Sequence, residues 1–278
     1  MTLDYDKIKV STKTIIGSSN IQVDIQKVYD NFPLDIKNEQ NIIIKAIYYN
    51  GERRGFGFED KKKKKKSFRN AINLIAHFED KKKINFKVSK NGKFQLTGCK
   101  SEDHAIRVVR FFIEQLKEHC VSCITLPKSN IIRVFFQTVM TNIDFSIGFF
   151  INRQKLDELM NKDTQYHSLL ETSCGYTGVN IKFPLLTPWW DLPVPVITCL
   201  DCRPDVLEWS LDSTPLSDIF EVPQDKKAKK KYNTFLVFHS GNIIMSGMIR
   251  DTMKKDFDVF VNTLRSWRHI IEEKIVEN

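Results

Sequence analysis

The chain has 278 residues, 41% of them hydrophobic, and a formal charge of +9 from 43 Lys and Arg against 34 Asp and Glu. Such a length buries enough apolar surface for one large domain or two ordinary ones. No run approaches the roughly 18 apolar residues of a membrane helix, and the opening MTLDYDKIKVSTK lacks the apolar stretch of a signal peptide. The expectation is an intracellular protein with no membrane partner, whose basic excess suits a polyanion.

The first predicted elements are a strand, KVSTKTII from Lys9, and a short helix, VDIQKVYDNF from Val23. YNGERRGFGFEDKKKKKKSF, from Tyr49, follows as a basic loop. Its lysine run reads as solvated surface, and beside a nucleic acid it would still attract phosphate. GERRGFGF imitates a phosphate-cradling loop only weakly, because no strand and helix flank it. INFKVSKNGKFQLTG, from Ile84, alternates with period two and turns at Asn91-Gly92, where glycine supplies positive φ; it reads as a hairpin. The period then lengthens to about 3.6, with Ala105, Val108, Val109, Phe112 and Leu116 at helical spacing. Ser101 is placed to cap that helix, with Glu102 and Asp103 in its first turn.

The same order then repeats. VFFQTVMTNI, from Val134, is strand-like, and INRQKLDELM, from Ile151, aligns with the short helix at Val23. YNTFLVFHSGNIIMSG, from Tyr232, is a hairpin turning at Ser240-Gly241. Met253, Phe257, Phe260, Val261, Leu264, Trp267 and Ile271 mark a second long amphipathic helix. Residues 1–122 and 123–278 are therefore expected as two repeats. Joined, they give an antiparallel sheet with helices above and an open face below, an α+β architecture. Residues 184–231 interrupt the second repeat with a proline-rich segment. Trp189, Trp190 and Trp209 make it more aromatic than a disordered linker, and packing on the protein's own surface is expected ahead of docking to an external partner.

Two C-x-x-C pairs, Cys120/Cys123 and Cys199/Cys202, lie farther apart than the roughly 15 to 20 residues of common zinc ribbons. Reduced thiols are favoured over structural zinc, and no metal site or cofactor is expected. The histidines are scattered, and no nucleophile elbow, P-loop or carboxylate cluster occurs. The expectation is a binding protein, not an enzyme.

NGKFQLTGCKSED and SGNIIMSG resemble the paired hairpins of the TATA-binding protein family, and the likeness runs through both repeats. More narrowly, VSTKT, GYTGVNIKFP and YNTFLVFHSG resemble the TATA-binding-protein-like proteins of nucleocytoplasmic large DNA viruses. The resemblance implies a saddle, in which two pseudo-symmetric repeats form a curved antiparallel sheet with helices on the convex face. It implies a transcription initiation factor that docks its concave sheet on the minor groove of double-stranded promoter DNA and bends it. Implied partners are an initiation factor of the general factor B type and the RNA polymerase machinery. The viral likeness implies a viral factory in the host cytoplasm, the host nucleus or the virion as the location.

By the same resemblance, the wedges that enter base steps fall on Phe68, Tyr176 and Phe238. Ser89 takes the fourth place, where no ring is left to unstack a step. The groove floor falls to Gln95 and Thr97 in the first hairpin and to Ile244 and Ser246 in the second. Gln95 stands where the family has valine and would alter the preferred sequence. Of the family's central asparagines, only Gln137, followed by Val139, has a match in the second repeat; Lys9, Ser11 and Lys13 align loosely in the first. Phosphate contacts fall on Lys93, Lys100 and Lys182, while Asn242 and Ile249 replace cations and Arg250 lies next to the latter. LLETSCGY, with Glu171 as its one acid, replaces the acidic stirrup that meets the factor B partner. The alternative is a saddle-shaped interaction scaffold of a transcription complex that has lost specific TATA recognition or bending, favoured by Ser89 and the missing asparagines.

Overall fold

The computed structural model describes residues 3–37, 41–56, 70–80, 82–170, 178–200, 208–219, 221 and 223–274. In chain order the strands are β1 (Val10–Ser19), β2 (Gln22–Val23), β3 (Ile42–Tyr49), β4 (Glu52–Gly55), β5 (Ala71–Phe78), β6 (Lys83–Ser89), β7 (Lys93–Cys99), β8 (Ile124–Thr125), β9 (Ile132–Ser146), β10 (His167–Leu170), β11 (Val179–Pro184), β12 (Pro193–Cys199), β13 (Trp209–Pro215), β14 (Tyr232–Val237) and β15 (Asn242–Gly247). The helices are α1 (Ile25–Asn31), α2 (Glu102–His119), α3 (Arg153–Asp163), α4 (Leu216–Ile219), α5 (Gln224–Lys227), α6 (Arg250–Ser266) and α7 (Arg268–Ile271). Antiparallel strands backed by helices give the α+β class that the periodicities predict.

The chain forms two compact units. The first comprises Lys13–Thr138 and Pro193–Pro215, the second Met1–Thr12, Val139–Leu192 and Leu216–Asn278. The boundaries fall inside β1 and β9.

In the first unit the strand order is β13-β12-β9-β1-β7-β6-β5-β3-β4. Period-two alternation sorts its side chains. Ile84, Phe86 and Val88 of β6 and Phe94 and Leu96 of β7 are buried, while their neighbours Lys83, Asn85, Lys93 and Gln95 are exposed. The buried set meets α2 at Phe112, which stacks on Phe32 of the segment after α1 at 5.2 Å and takes the edges of Phe86 and Phe94 at 5.8 and 5.9 Å. Truncating such a ring costs about 3–5 kcal/mol.

Ser101 occupies the N-cap of α2, but its side chain makes no capping bond. The first helical residue does the connecting instead. Glu102 Oε1 accepts from Lys13 Nζ at 2.7 Å and from Thr138 Oγ1 at 2.8 Å, tying the helix start to β1 and β9. Lys13 is 7% exposed and points to the helix side of the sheet.

The expected packing of the insertion on the protein's own surface holds for its described part. β12 pairs with β9 from Val196–Phe135 to Cys199–Ile132, so the insertion adds a hairpin to the first unit's sheet. Ile197 and Cys199 join the core, and the Trp209 indole donates to Glu114 Oε1 at 3.0 Å.

In the second unit the order is β10-β11-β14-β15-β9, with each pairing antiparallel. Its core centres on Phe235, stacked on Phe260 of α6 at 3.9 Å, with Phe183 against both at 5.0 and 6.0 Å. The N-terminal 3₁₀ turn Tyr5–Lys7 docks here: Arg250 donates to the carbonyls of Tyr5 and Ile8 at 2.9 and 2.6 Å. The second long helix does not run unbroken to Ile271. The backbone leaves helical geometry at Trp267 and restarts as α7, which buries Ile271 and lets its carbonyl accept from Asn152 N at 2.7 Å.

The two units repeat one set of hydrogen bonds. Ser19 N donates to Gly92 O and Val23 N to Lys90 O; the same relations join Ile147 to Gly241 and Ile151 to His239. Asp24 and Asn152 then cap α1 and α3 by accepting from the backbone of Lys27 and Lys155. At both hairpin tips the glycine has positive φ, +67° at Gly92 and +78° at Gly241. A Cβ there would collide with the carbonyl of Ile21 or of Phe149, so glycine is required by space as well as by torsion.

Candidate nucleic-acid interface

In the first unit, the face turned away from α2 is built by alternate residues of β1, β7, β6 and β5. Thr14 stands opposite Thr97, which stands opposite Asn85. Ile16 stands opposite Gln95, Gln95 opposite Lys87, and Lys87 opposite Asn73; Ser18 stands opposite Lys93. These four strands contain no Asp or Glu. Burial first, then the charges of Lys45 and Lys83, hold the His77 imidazole below its usual range.

Gly92 N donates to Ser89 O in one hairpin and Gly241 N to Phe238 O in the other, so Ser89 and Phe238 hold equivalent turn positions. Phe238 is half-buried there, its N–H donating to Asn242 O at 3.0 Å. Ser89 faces Ala71 across the ladder, and its hydroxyl donates to Lys93 O at 3.0 Å. Two small residues in register leave a shallow hollow of about 280 Å³, lined by Ile16, Ala71, Lys87, Ser89, Lys93 and Gln95.

In the second unit the corresponding face carries two rows. Asn142, Ser246, Thr234, Lys182 and His167 form one; Asp144, Ile244, Leu236, Asn180 and Leu169 form the other. Asn142 Oδ1 and Asn180 Oδ1 are buried without a partner among the described residues.

The sequence-predicted residues thus fall in separate places. Gln95, Thr97 and Lys93 share the face of the first unit; Ile244, Ser246 and Lys182 share that of the second. Lys100 follows β7 in the turn into α2, where its N–H donates to His104 Nδ1 at 3.2 Å. Gln137 is half-buried in β9 beside Thr138, and Val139 is 39% exposed. Phe68, Tyr176 and Glu171 lie outside the described residues. Arg250, adjacent to a missing cation in the sequence, is held by the N-terminal turn. Sequence reasoning passed over Lys87 and Asp144. The alternation of KINFKVS offered the first; the alignment of Val23 with Ile151 offered the second, because it carries Ile16 onto Asp144.

Cys99, Cys120, Cys123 and Cys199 are buried free thiols. Burial pushes Cys99 up to about 12 and Cys123 up to about 11, which keeps them protonated at neutral pH. Among the described residues no group of His, Cys, Asp and Glu is placed to hold a metal, and no helix is long and apolar enough to cross a membrane. Cys174 and Cys202 lie outside the described residues.

No family model matches the chain. Uncharacterized protein 335L of Invertebrate iridescent virus 6 is 26% identical over 284 residues, covering 92% of this chain and 83% of that protein. A TATA-box-binding protein-like protein of Acanthamoeba polyphaga mimivirus is 27% identical over 208 residues, 65% of this chain and 55% of its own length. Among solved structures, the Methanococcus jannaschii TBP matches 93% of this chain and 98% of its own, at 13% identity and a TM-score of 0.47. Both of these sequence relatives are viral proteins, and one of them is TATA-box-binding-protein-like by name.

Proposed function

We propose that this protein is a non-enzymatic transcription initiation factor that binds the minor groove of double-stranded promoter DNA and bends it. The observation that carries the reading is the acid-free face of β1, β5, β6 and β7, where Lys83, Lys87 and Lys93 flank a floor of Thr14, Ile16, Gln95 and Thr97. Lysines supply sequence-independent attraction to phosphate, and short hydroxyl and amide groups meet the acceptors on the groove floor. Phe238, with Phe68 and Tyr176, supplies the wedges; Gln137, Val139, Ile244 and Ser246 complete the floor, and Lys100 and Lys182 meet phosphate. Residues 1–122 and 123–278 act as the duplicated halves, with 184–231 as an insertion. The helical surfaces recruit a general factor B type protein and RNA polymerase where viral genes are transcribed.

Fluorescence anisotropy with an A·T-rich duplex tests the reading. Binding is expected to weaken steeply with salt and to be displaced by a minor-groove-binding polyamide; displacement only by major-groove ligands contradicts it.

A second reading, a scaffold that has lost DNA bending, draws on Ser89 and its hollow. A protein that holds initiation factors together without unstacking bases needs no ring at that position.

A further inference from the structure

Asp144 is the one carboxylate in strands β9, β10, β11, β14 and β15. It is exposed and directly opposite Ile244, in the row that includes Leu236 and Asn180. The shared hydrogen-bond pattern of the two units makes the pair Asp144/Ile244 equivalent to the pair Ile16/Gln95. Of these equivalent pairs, one therefore presents an amide, on Gln95, which donates and accepts, and the other a carboxylate, on Asp144, which only accepts.

This polarity is wrong for A·T pairs. Their minor-groove edges show only the acceptors adenine N3 and thymine O2, whereas a G·C pair adds one donor, the guanine N2 amine. A carboxylate laid against A·T faces acceptor with acceptor; laid against G·C it gains a charge-assisted hydrogen bond. Resting on the minor-groove reading above, we infer that Asp144 selects a guanine N2 amine, so that the DNA under the second unit contains a G·C pair where Asp144 meets the floor.

The test replaces guanine by inosine, which lacks only that amine. A single G·C pair is walked through an A·T-rich duplex, and each duplex is compared with its inosine counterpart for the wild-type protein and for Asp144→Ala. The substituted residue is exposed on a strand face, and circular dichroism checks its folding. At one position the wild type is expected to bind guanine about tenfold more tightly than inosine, as one good base contact allows. Asp144→Ala is expected to bind the two equally and to bind the all-A·T duplex more tightly than the wild type does. Groove binding displaced by a polyamide, yet indifferent to inosine at every position, overturns the role of Asp144 and leaves the minor-groove reading standing. Failure to bind any duplex overturns both. A guanine preference that survives in Asp144→Ala assigns the amine to another residue and also overturns the inference.

Discussion

Lys13 Nζ lies 2.7 Å from Glu102 Oε1, joining a 7%-exposed lysine of β1 to the first residue of α2. Burial alone would raise the Glu102 carboxyl; the hydrogen bonds from Lys13 and Thr138 outweigh it and hold the group below the usual carboxylate range. A carboxyl that titrates lower in the folded than in the unfolded state adds stability above the unfolded value and loses it as pH falls through the folded one.

Glu102→Gln is accordingly expected to cost about 2 kcal/mol at neutral pH, because it leaves a buried ammonium without its counterion. The deficit should shrink in acid, where the wild type loses the same charge. Urea unfolding across the acid range measures both effects; a deficit constant with pH contradicts the ion pair's role.

Tyr5 supplies a second pH signature at the other end of the scale. Burial, offset in part by Arg250, pushes its phenol up to about 12, and the hydroxyl donates to Arg250 O at 2.5 Å. With a folded value above the unfolded one, the contribution is complete below about pH 10 and is lost as pH rises through about 12. Arg250→Ala is expected to release the N-terminal turn, read as faster amide exchange over residues 4–8, while the core amides of α6 stay protected.

The insertion hairpin belongs structurally to the first unit, and Trp209 anchors it. Trp209→Ala removes a half-buried indole and its bond to Glu114, at an expected cost of about 2–3 kcal/mol. Chemical denaturation followed by circular dichroism checks the value. A change within about 0.5 kcal/mol, the range of ordinary surface substitutions, contradicts the packing.

Lys93→Gln addresses phosphate attraction without touching the core. Each lost phosphate contact lowers the slope of log K against log salt by about 0.9. The variant is expected to bind all duplexes more weakly, with the shallower slope and unchanged sequence preference. Lys83→Gln, on the same face, serves as an independent repeat.

Much of this architecture was legible because each unit obeys simple periods. KINFKVS and KFQLTGC alternate cleanly, and Val108, Phe112 and Leu116 follow the helical repeat, so the hairpins and long helices are readable from the sequence. The long strand β9 was not fully legible. Its alternation changes phase between buried Thr138 and buried Thr141, with exposed Val139 between them, and a change of phase reverses which residues face outward. The change of phase is what turns Asp144 outward. Lys13, loosely aligned with a DNA-facing residue, points inward for a related reason: the register of β1 shifts between Lys13 and Thr14. Long-range partners such as Glu114 for Trp209 leave no periodic trace and became visible only in the fold.

The candidate site was legible residue by residue, less so as a surface. The family resemblance singled out lysines and hydroxyls one at a time, but the absence of acid from four adjacent strands emerges only from their register. Ser89 was read as a missing ring, and its pairing with Ala71 turns that absence into a hollow.

Bending of a doubly labelled A·T-rich duplex, measured by fluorescence energy transfer, tests the central claim most directly. The wild-type protein is expected to shorten the end-to-end distance, with Phe238→Ala and Phe68→Ala each reducing the bend while folding normally. Binding without shortening, or a bend indifferent to both substitutions, would contradict the account.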